Sequence, residues 1–288
     1  FLAGMAAVLY GINAPFSQLL LNKVSPFLMA SLLYFGAGFG MGIIWLLKSK
    51  KQTNHLEAKE WPYIVGMILL DVLAPIMLML GLKLTTAANA SLLNNFEIVA
   101  TSLFALMFFH EKIDKRMWLA IVFILLASFF LSIEDPESLS FSKGSLFVIL
   151  AAFFWGLENN CTRVLSTKDP LEIVIMKGIA SGTGSLIVAL IIGIDDVVWS
   201  YIVFALLLGF VAYGLSIYLY VRAQRDLGAS KTSAFYAFAP FVGTGISLII
   251  FKSQPTWLFL GALIFMLIGA YLVAKDYLSK QIEQGESI

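Results

Sequence analysis

The sequence predicts an all-α membrane protein in which ten transmembrane helices form two inverted five-helix repeats. Three observations predict it. Hydrophobic residues make up 60% of the chain, charged residues only 13%, and the mean hydropathy is +0.89; a soluble domain carries about 25% charge. Ten apolar stretches can be drawn, each near the roughly 20 residues a helix needs to span a bilayer. Finally, the first half is written again in the second. Tyr10-Gly11-Ile12-Asn13 recurs as Trp155-Gly156-Leu157-Glu158, and Ser25-Pro26-Phe27 as Asp169-Pro170-Leu171, one residue closer. The glycine run Gly36, Gly38, Gly40 recurs as Ala180, Gly182, Gly184. A register held across two helices and their connection is the mark of an internal repeat.

The apolar stretches lie near 1–21, 27–47, 61–82, 87–109, 115–133, 144–165, 171–192, 199–221, 229–251 and 256–275. In lipid they must be helices, because unpaired backbone groups there have no water to bond. The longest connections are 48–60, rich in lysine, and 134–143, rich in Asp, Glu and Ser. The first repeat is expected over 1–134, a linker over 135–143, the second repeat over 144–277, and a polar, fraying tail over 278–288. Phe1 opens inside an apolar run, which predicts that a few natural residues precede it, and no cleavable signal peptide is read. Cys161 is the only cysteine, so no intrachain disulfide is expected.

Lysine and arginine set the orientation. One set of connections, with the polar tail, holds fourteen of them and the alternate set four, with Lys177 left inside a helix. This bias predicts both termini on the cytoplasmic side of a plasma (inner) membrane. Five helices per half is an odd number, so the halves must sit in opposite orientation. The net charge of +1 leaves no basic footprint for nucleic acid.

Two segments carry a family resemblance. Leu82-Lys83-Leu84-Thr85-Thr86-Ala87-Ala88-Asn89-Ala90-Ser91 leads into helix 4, which ends at Phe109-His110-Glu111-Lys112, followed by Trp118-Leu119-Ala120. The second half answers with Arg222-Ala223-Gln224-Arg225-Asp226-Leu227-Gly228-Ala229, then Ala239-Pro240, Gly261-Ala262 and Gly269. The chain resembles the EamA-type repeat of the drug/metabolite transporter superfamily over essentially all its length. That resemblance implies ten helices around a central cavity, alternating access and no fixed substrate. It departs from the pattern at Ile98, where proline is usual, and Glu111 has no counterpart after helix 9, where Ser253 stands.

Ionisable residues far from any loop carry the functional signal, because each costs about 2.5–3.5 kcal/mol to insert. Asp71 lies at the middle of helix 3, Glu97 near the middle of helix 4, Glu158 in helix 6 and Lys177 in helix 7. A structural ion pair competes with a functional reading for each. Glu97 shares a helix face with Asn94, and Asn95 lies beside them. Glu158 is followed by Asn159 and Asn160 and holds the repeat position of Asn13, so pseudo-symmetry places Asn13 and Glu158 on opposing walls of one cavity. Helices 6 and 7 form a tight hairpin, so Glu158 and Lys177 can pair, which would leave Glu97 and Asp71 as unpaired acids. Tyr10, Tyr34, Trp155, Tyr213, Tyr236 and Phe238 are candidate aromatic walls, although packing explains any one alone. Four-residue glycine pairs (Gly36/Gly40, Gly38/Gly42, Gly178/Gly182) predict close helix approach. Pro15, Pro75 and Pro240 are candidate kinks.

These residues point to a secondary active transporter of a small metabolite, an exporter coupled to protons, with a cationic or zwitterionic substrate such as an amino acid or amine. The alternative is a membrane scaffold or receptor that keeps the fold without transport. The candidate substrate or proton residues are Glu97, Glu158, Asn13, Asn94, Asp71, Lys177, Asn159, Tyr236 and Trp155. No nucleophile with a base and no metal-ligand spacing is present, so no enzyme, metal or cofactor is expected. The expected partners are the small substrate and the bilayer, with the chain as monomer or homodimer.

Overall fold

The computed structural model describes residues 2–47, 58–135, 140–165, 168–194, 197–227 and 236–283. The first apolar stretch is two helices, α1 (Leu2–Gly11) and α2 (Asn13–Leu20), where the sequence predicts one. The reason is Pro15, which has no N–H to give to the carbonyl four residues back. Helix α3 (Pro26–Leu47) and α4 (Trp61–Leu84) follow, α4 running unbroken through Pro75. The fourth stretch is also divided, into α5 (Ala87–Leu93) and α6 (Phe96–Phe109). Between them the backbone tightens, with Asn95 N bonding to Leu92 O at 3.1 Å and Ile98 N to Asn95 O at 3.0 Å. Such i→i+3 turns inside a helix mark a change of direction.

Helix α7 (Lys115–Ser132) ends the first half. A two-stranded antiparallel ribbon, β1 (Ile133–Asp135) with β2 (Ser140–Phe141), lies in the connection between the halves. The second half holds α8 (Lys143–Leu165), α9 (Pro170–Ile192), α10 (Trp199–Gly209), α11 (Ser216–Leu227), α12 (Ala239–Phe251) and α13 (Trp257–Glu283). A π-helical stretch, Phe210–Leu215, joins α10 to α11. The start expected for the ninth stretch, at 229, lies outside the described residues, and Pro240 sits in the first turn of α12 rather than at a kink. Helix α13 runs on to Glu283, where the sequence predicts fraying beyond 277; Lys280, Gln281 and Glu283 are good helix formers.

Among the described residues, eight spans are long and apolar enough to cross a membrane, counting Ala87–Phe109 and Trp199–Tyr220 as one each, and α12 is a shorter apolar helix. The exposed surface is rich in large apolar side chains, such as Leu46, Leu69, Ile191, Trp199 and Trp257, as a lipid-facing wall requires. The protein is therefore a helical, multi-pass membrane protein, and among the described residues the small ribbon is its one sheet.

Most of the packing crosses between the halves. Helix α3 packs on α9, and α7 on α13, so equivalent helices meet. Helix α4 packs on α8, while α1 packs on α11 and the π stretch. Helix α6 packs on α8, while α12 packs on α1 and α2. Each contact has its exchanged counterpart, the pattern that two repeats related by a two-fold axis produce. Glycines permit it. A Cβ on Gly178 would run into the Gly38 backbone, and one on Gly36 into the Leu206 carbonyl. Gly40 faces the Phe210 ring and Gly182 the Phe35 ring, but Gly42 meets nothing within 4 Å.

Candidate functional site

Where the two halves meet, they enclose a cavity of about 690 Å³. Its wall includes Asp71 from α4, Asn94, Asn95 and Glu97 from the α5–α6 break, Trp155, Glu158 and Asn159 from α8, Lys177 from α9, and Tyr236 before α12. Eight of the nine residues singled out from the sequence thus face one space. The local backbone explains the convergence. The turn at Asn94 and Asn95 puts two amides and the first turn of α6 on the cavity, where the positive end of a helix favours a carboxylate such as Glu97.

Asn13 is the exception. It is only 2% exposed and does not reach the cavity wall, contrary to the expectation from pseudo-symmetry. Its amide donates to the Tyr213 hydroxyl at 3.1 Å and accepts from Ser17 Oγ at 3.1 Å. Tyr213, carried on the π stretch, is larger and stands in front of it on the wall.

The charged groups form one network and one outlier. Lys177 Nζ donates to Glu158 Oε1 at 2.8 Å, the pairing expected from the α8–α9 hairpin. The same Nζ lies 3.2 Å from Asp71 Oδ2, an ion-pair distance without hydrogen-bond alignment. Asp71 is therefore not left unpaired, because α4 packs directly on both α8 and α9 and brings its mid-helix carboxylate to the same lysine. Tyr34 donates its hydroxyl to Asp71 Oδ1 at 2.7 Å, and Thr162 bonds Glu158 one turn below. Buried charges survive only when paired in this way.

Glu97 is different. Its recorded side-chain partner is neutral: Asn159 Nδ2 donates to Glu97 Oε1 at 2.7 Å and to Thr101 Oγ1 at 3.2 Å. Asn94 and Asn95 line the same wall, and Asn94 Oδ1 and Asn95 Nδ2 are buried polar atoms without a hydrogen-bond partner.

Aromatic rings continue the wall. Tyr34 and Tyr213 have centroids 5.4 Å apart, Tyr213 and Tyr10 6.1 Å, Tyr10 and Tyr236 5.5 Å, and Tyr236 and Tyr220 4.8 Å. Phe238 does not belong to it, being 54% exposed on the outside of the turn before α12. Tyr220, Thr101 and Arg163 also line the cavity without having been singled out. Helical spacing held the signal for two of them: Tyr220 lies two turns after Tyr213, and Thr101 one turn after Glu97. Arg163 pairs with Glu111 at the rim and lies over the Phe109 ring at 5.1 Å.

Toward the lysine-rich connections the cavity is lined down to Thr162, Arg163 and Tyr220. Away from the cavity lining, Gln18 clamps the α4–α5 turn, donating to Leu82 O at 2.9 Å and Thr85 O at 2.7 Å and accepting from Ala87 N at 2.8 Å. Asn89 donates there to Leu131 O at 2.8 Å and Ser145 Oγ at 3.0 Å.

Comparison with known proteins agrees with this architecture. An uncharacterized transporter of Methanothermobacter thermautotrophicus is 28% identical over 289 residues, covering 93% of this chain and 83% of its own. An uncharacterized transporter of Bacillus subtilis, YyaM, is 24% identical over 199 residues, 65% of this chain and 64% of its own. A crystal structure superposes with a TM-score of 0.67 at 17% identity, covering 94% of both chains, and shows the shared fold. The sequence model of the EamA-like transporter family matches residues 1–133 and again 142–275. With two copies of that repeat covering nearly its whole length, the chain belongs to the EamA-like transporter family, within the drug/metabolite transporter superfamily.

Proposed function

We propose that the protein is a secondary active transporter that exports a small cationic or zwitterionic metabolite, an amino acid or amine, in exchange for protons. The observation that carries this reading is the cavity itself, whose ionisable groups come from both halves: Asp71 and Glu97 from the first, Glu158 and Lys177 from the second. A site shared between repeats is sensed by both, so rocking one half against the other exposes it to alternate sides. In this reading all ten stretches cross the plasma membrane in inverted repeats, with both termini cytoplasmic. The cavity then opens toward the cytoplasm, and the Gln18 and Asn89 clamps close the outer end. Glu97, with a neutral partner, is the group that binds proton and substrate in turn.

Two experiments test it. In proteoliposomes loaded with candidate amines and amino acids, an imposed proton gradient is expected to accelerate efflux of at least one class and to be dissipated by it. Efflux indifferent to the gradient defeats the coupling. In intact cells, with Cys161→Ser as background, Lys112→Cys is expected to resist an impermeant thiol reagent and Lys252→Cys to react. The reverse pattern inverts the topology.

A further inference from the structure

We infer that the cavity takes a protonated organic amine of net charge +1, held through its N–H groups, and not a zwitterionic amino acid. The inference rests on the transport reading and narrows its substrate class.

Charge balance comes first. A zwitterion brings a carboxylate that needs a cation, and among the described residues the cations on the wall, Lys177 and Arg163, are already engaged. Lys177 is shared by Glu158 and Asp71, and Arg163 is paired with Glu111. When both are ionised, two carboxylates around one lysine leave a surplus negative charge, and Glu97 adds another when it has released its proton. A further carboxylate would enter a low-dielectric space against that surplus, where charge interactions are strongest. A cation meets the opposite situation, because the recorded partner of Glu97 is the neutral amide of Asn159.

Donor and acceptor chemistry then narrows the cation. Asn94 lies one turn before Glu97, lines the cavity, is 7% exposed and keeps its Oδ1 without a partner. A buried acceptor left unmet costs about 1–3 kcal/mol. An ammonium with N–H groups satisfies Glu97 and Asn94 together, whereas a quaternary ammonium carries the charge and has no N–H for either. The unpartnered amide N–H of Asn95 is a neutral donor suited to a hydroxyl or ether oxygen. Tyr10 and Tyr236 line the same cavity and supply aromatic surface for the apolar body of the amine.

The test uses three probes that share one body: phenethylamine, phenylalanine and phenethyltrimethylammonium. Binding to the purified full chain is measured by calorimetry, and movement by counterflow in proteoliposomes. Phenethylamine is expected to bind more tightly than phenylalanine by about tenfold or more, with the trimethyl compound between them. In Glu97→Gln, which retains its melting temperature, the amine is expected to fall to the level of phenylalanine. In Asn94→Ala the gap between the amine and its trimethyl form is expected to close. Phenylalanine binding as tightly as the amine, or no binding of the amine, overturns the inference. Amine binding without counterflow supports the site assignment and defeats the transport reading instead.

Discussion

Helices α1–α2 and α8 occupy equivalent places in the two repeats, and they do opposite things with them. Asn13 and Glu158 share a repeat position. Asn13 sits at a helix break and spends its amide on Tyr213 of the helix it packs against. Glu158 sits in an unbroken helix and joins an ion cluster with Lys177 and with Asp71 of its own cross-half partner, α4. The pairing of helices is conserved by the two-fold relation, while the chemistry carried on it is neutral on one side and ionic on the other. Continuing the register, Gln18 corresponds to Arg163. Gln18 ties α2 to the α4–α5 turn with three hydrogen bonds, and Arg163 stands half exposed on the cavity wall. Duplication thus supplies a symmetric frame, and asymmetric side chains give one position an ion cluster and its counterpart a neutral hydrogen bond.

The largest test of that contrast is Lys177→Met. It strips the cation from two carboxylates, Asp71 at 0% and Glu158 at 2% exposure. Orphaning one buried charge costs about 3–5 kcal/mol, so the single variant is expected to melt far below the parent or fail to accumulate. Glu158→Gln added to it should recover only part of the loss, because Asp71 keeps only the Tyr34 hydroxyl. Adding Asp71→Asn should recover most of the remainder. A double variant that melts with the parent would show that the lysine does not hold Asp71.

A smaller effect is expected at the seam where the halves are equivalent. Gly178→Ala forces a methyl into the Gly38 backbone, and overpacking of this kind costs about 1–3 kcal/mol. Gly42→Ala has open space and is expected to stay within about 0.5 kcal/mol. Both are read from detergent melting curves, and equal melting temperatures would refute the close approach.

The Gln18/Arg163 comparison gives a third test. Gln18→Leu leaves the Ala87 N–H and two carbonyls unmet, for an expected loss of about 1–3 kcal/mol. Arg163→Leu removes an exposed pair worth about 0–1 kcal/mol. Melting curves of the two variants should differ in that order. An equal or larger loss in Arg163→Leu would mean that the rim pair, and not the amide clamp, carries the stability.

Residue pattern alone reached the helices and most of the wall, for identifiable reasons. Apolar length and backbone saturation dictate helices in lipid, so the stretches were visible without a structure. Mid-membrane charge is costly enough that Asp71, Glu97, Glu158 and Lys177 had to meet a cavity or one another. Two things were hidden. The Asp71–Lys177 contact depends on which face of α4 meets α9, and that is decided by packing between repeats. Symmetry of sequence places Asn13 on the wall, but its amide is bonded to Tyr213, and it is Tyr213 that lines the cavity. The breaks at Ile12 and at Asn94–Asn95 were only half visible: Pro15 signals the first, whereas two asparagines in an apolar run read as polarity and not as a turn.

The smallest expected change in stability belongs to the residue with the largest expected role. Glu97→Gln keeps an oxygen where Asn159 Nδ2 now donates at 2.7 Å. It removes a charge whose partner among the described residues is neutral, and burying a carboxylate without a cation is unfavourable. Nothing is lost in packing, so the melting temperature should match or slightly exceed that of the parent. Function should not survive in the same form. If Glu97 alternates between proton and substrate, efflux by the parent will respond to the proton gradient between about pH 5.5 and 8, and efflux by the variant will be equal with the gradient imposed or collapsed. The ion cluster around Lys177 remains intact in this variant, which separates the two walls of the site. Gradient-driven efflux undiminished in Glu97→Gln would move proton coupling off α6 and onto the Asp71–Lys177–Glu158 cluster, reversing the division of labour between the neutral-partnered acid and the paired ones.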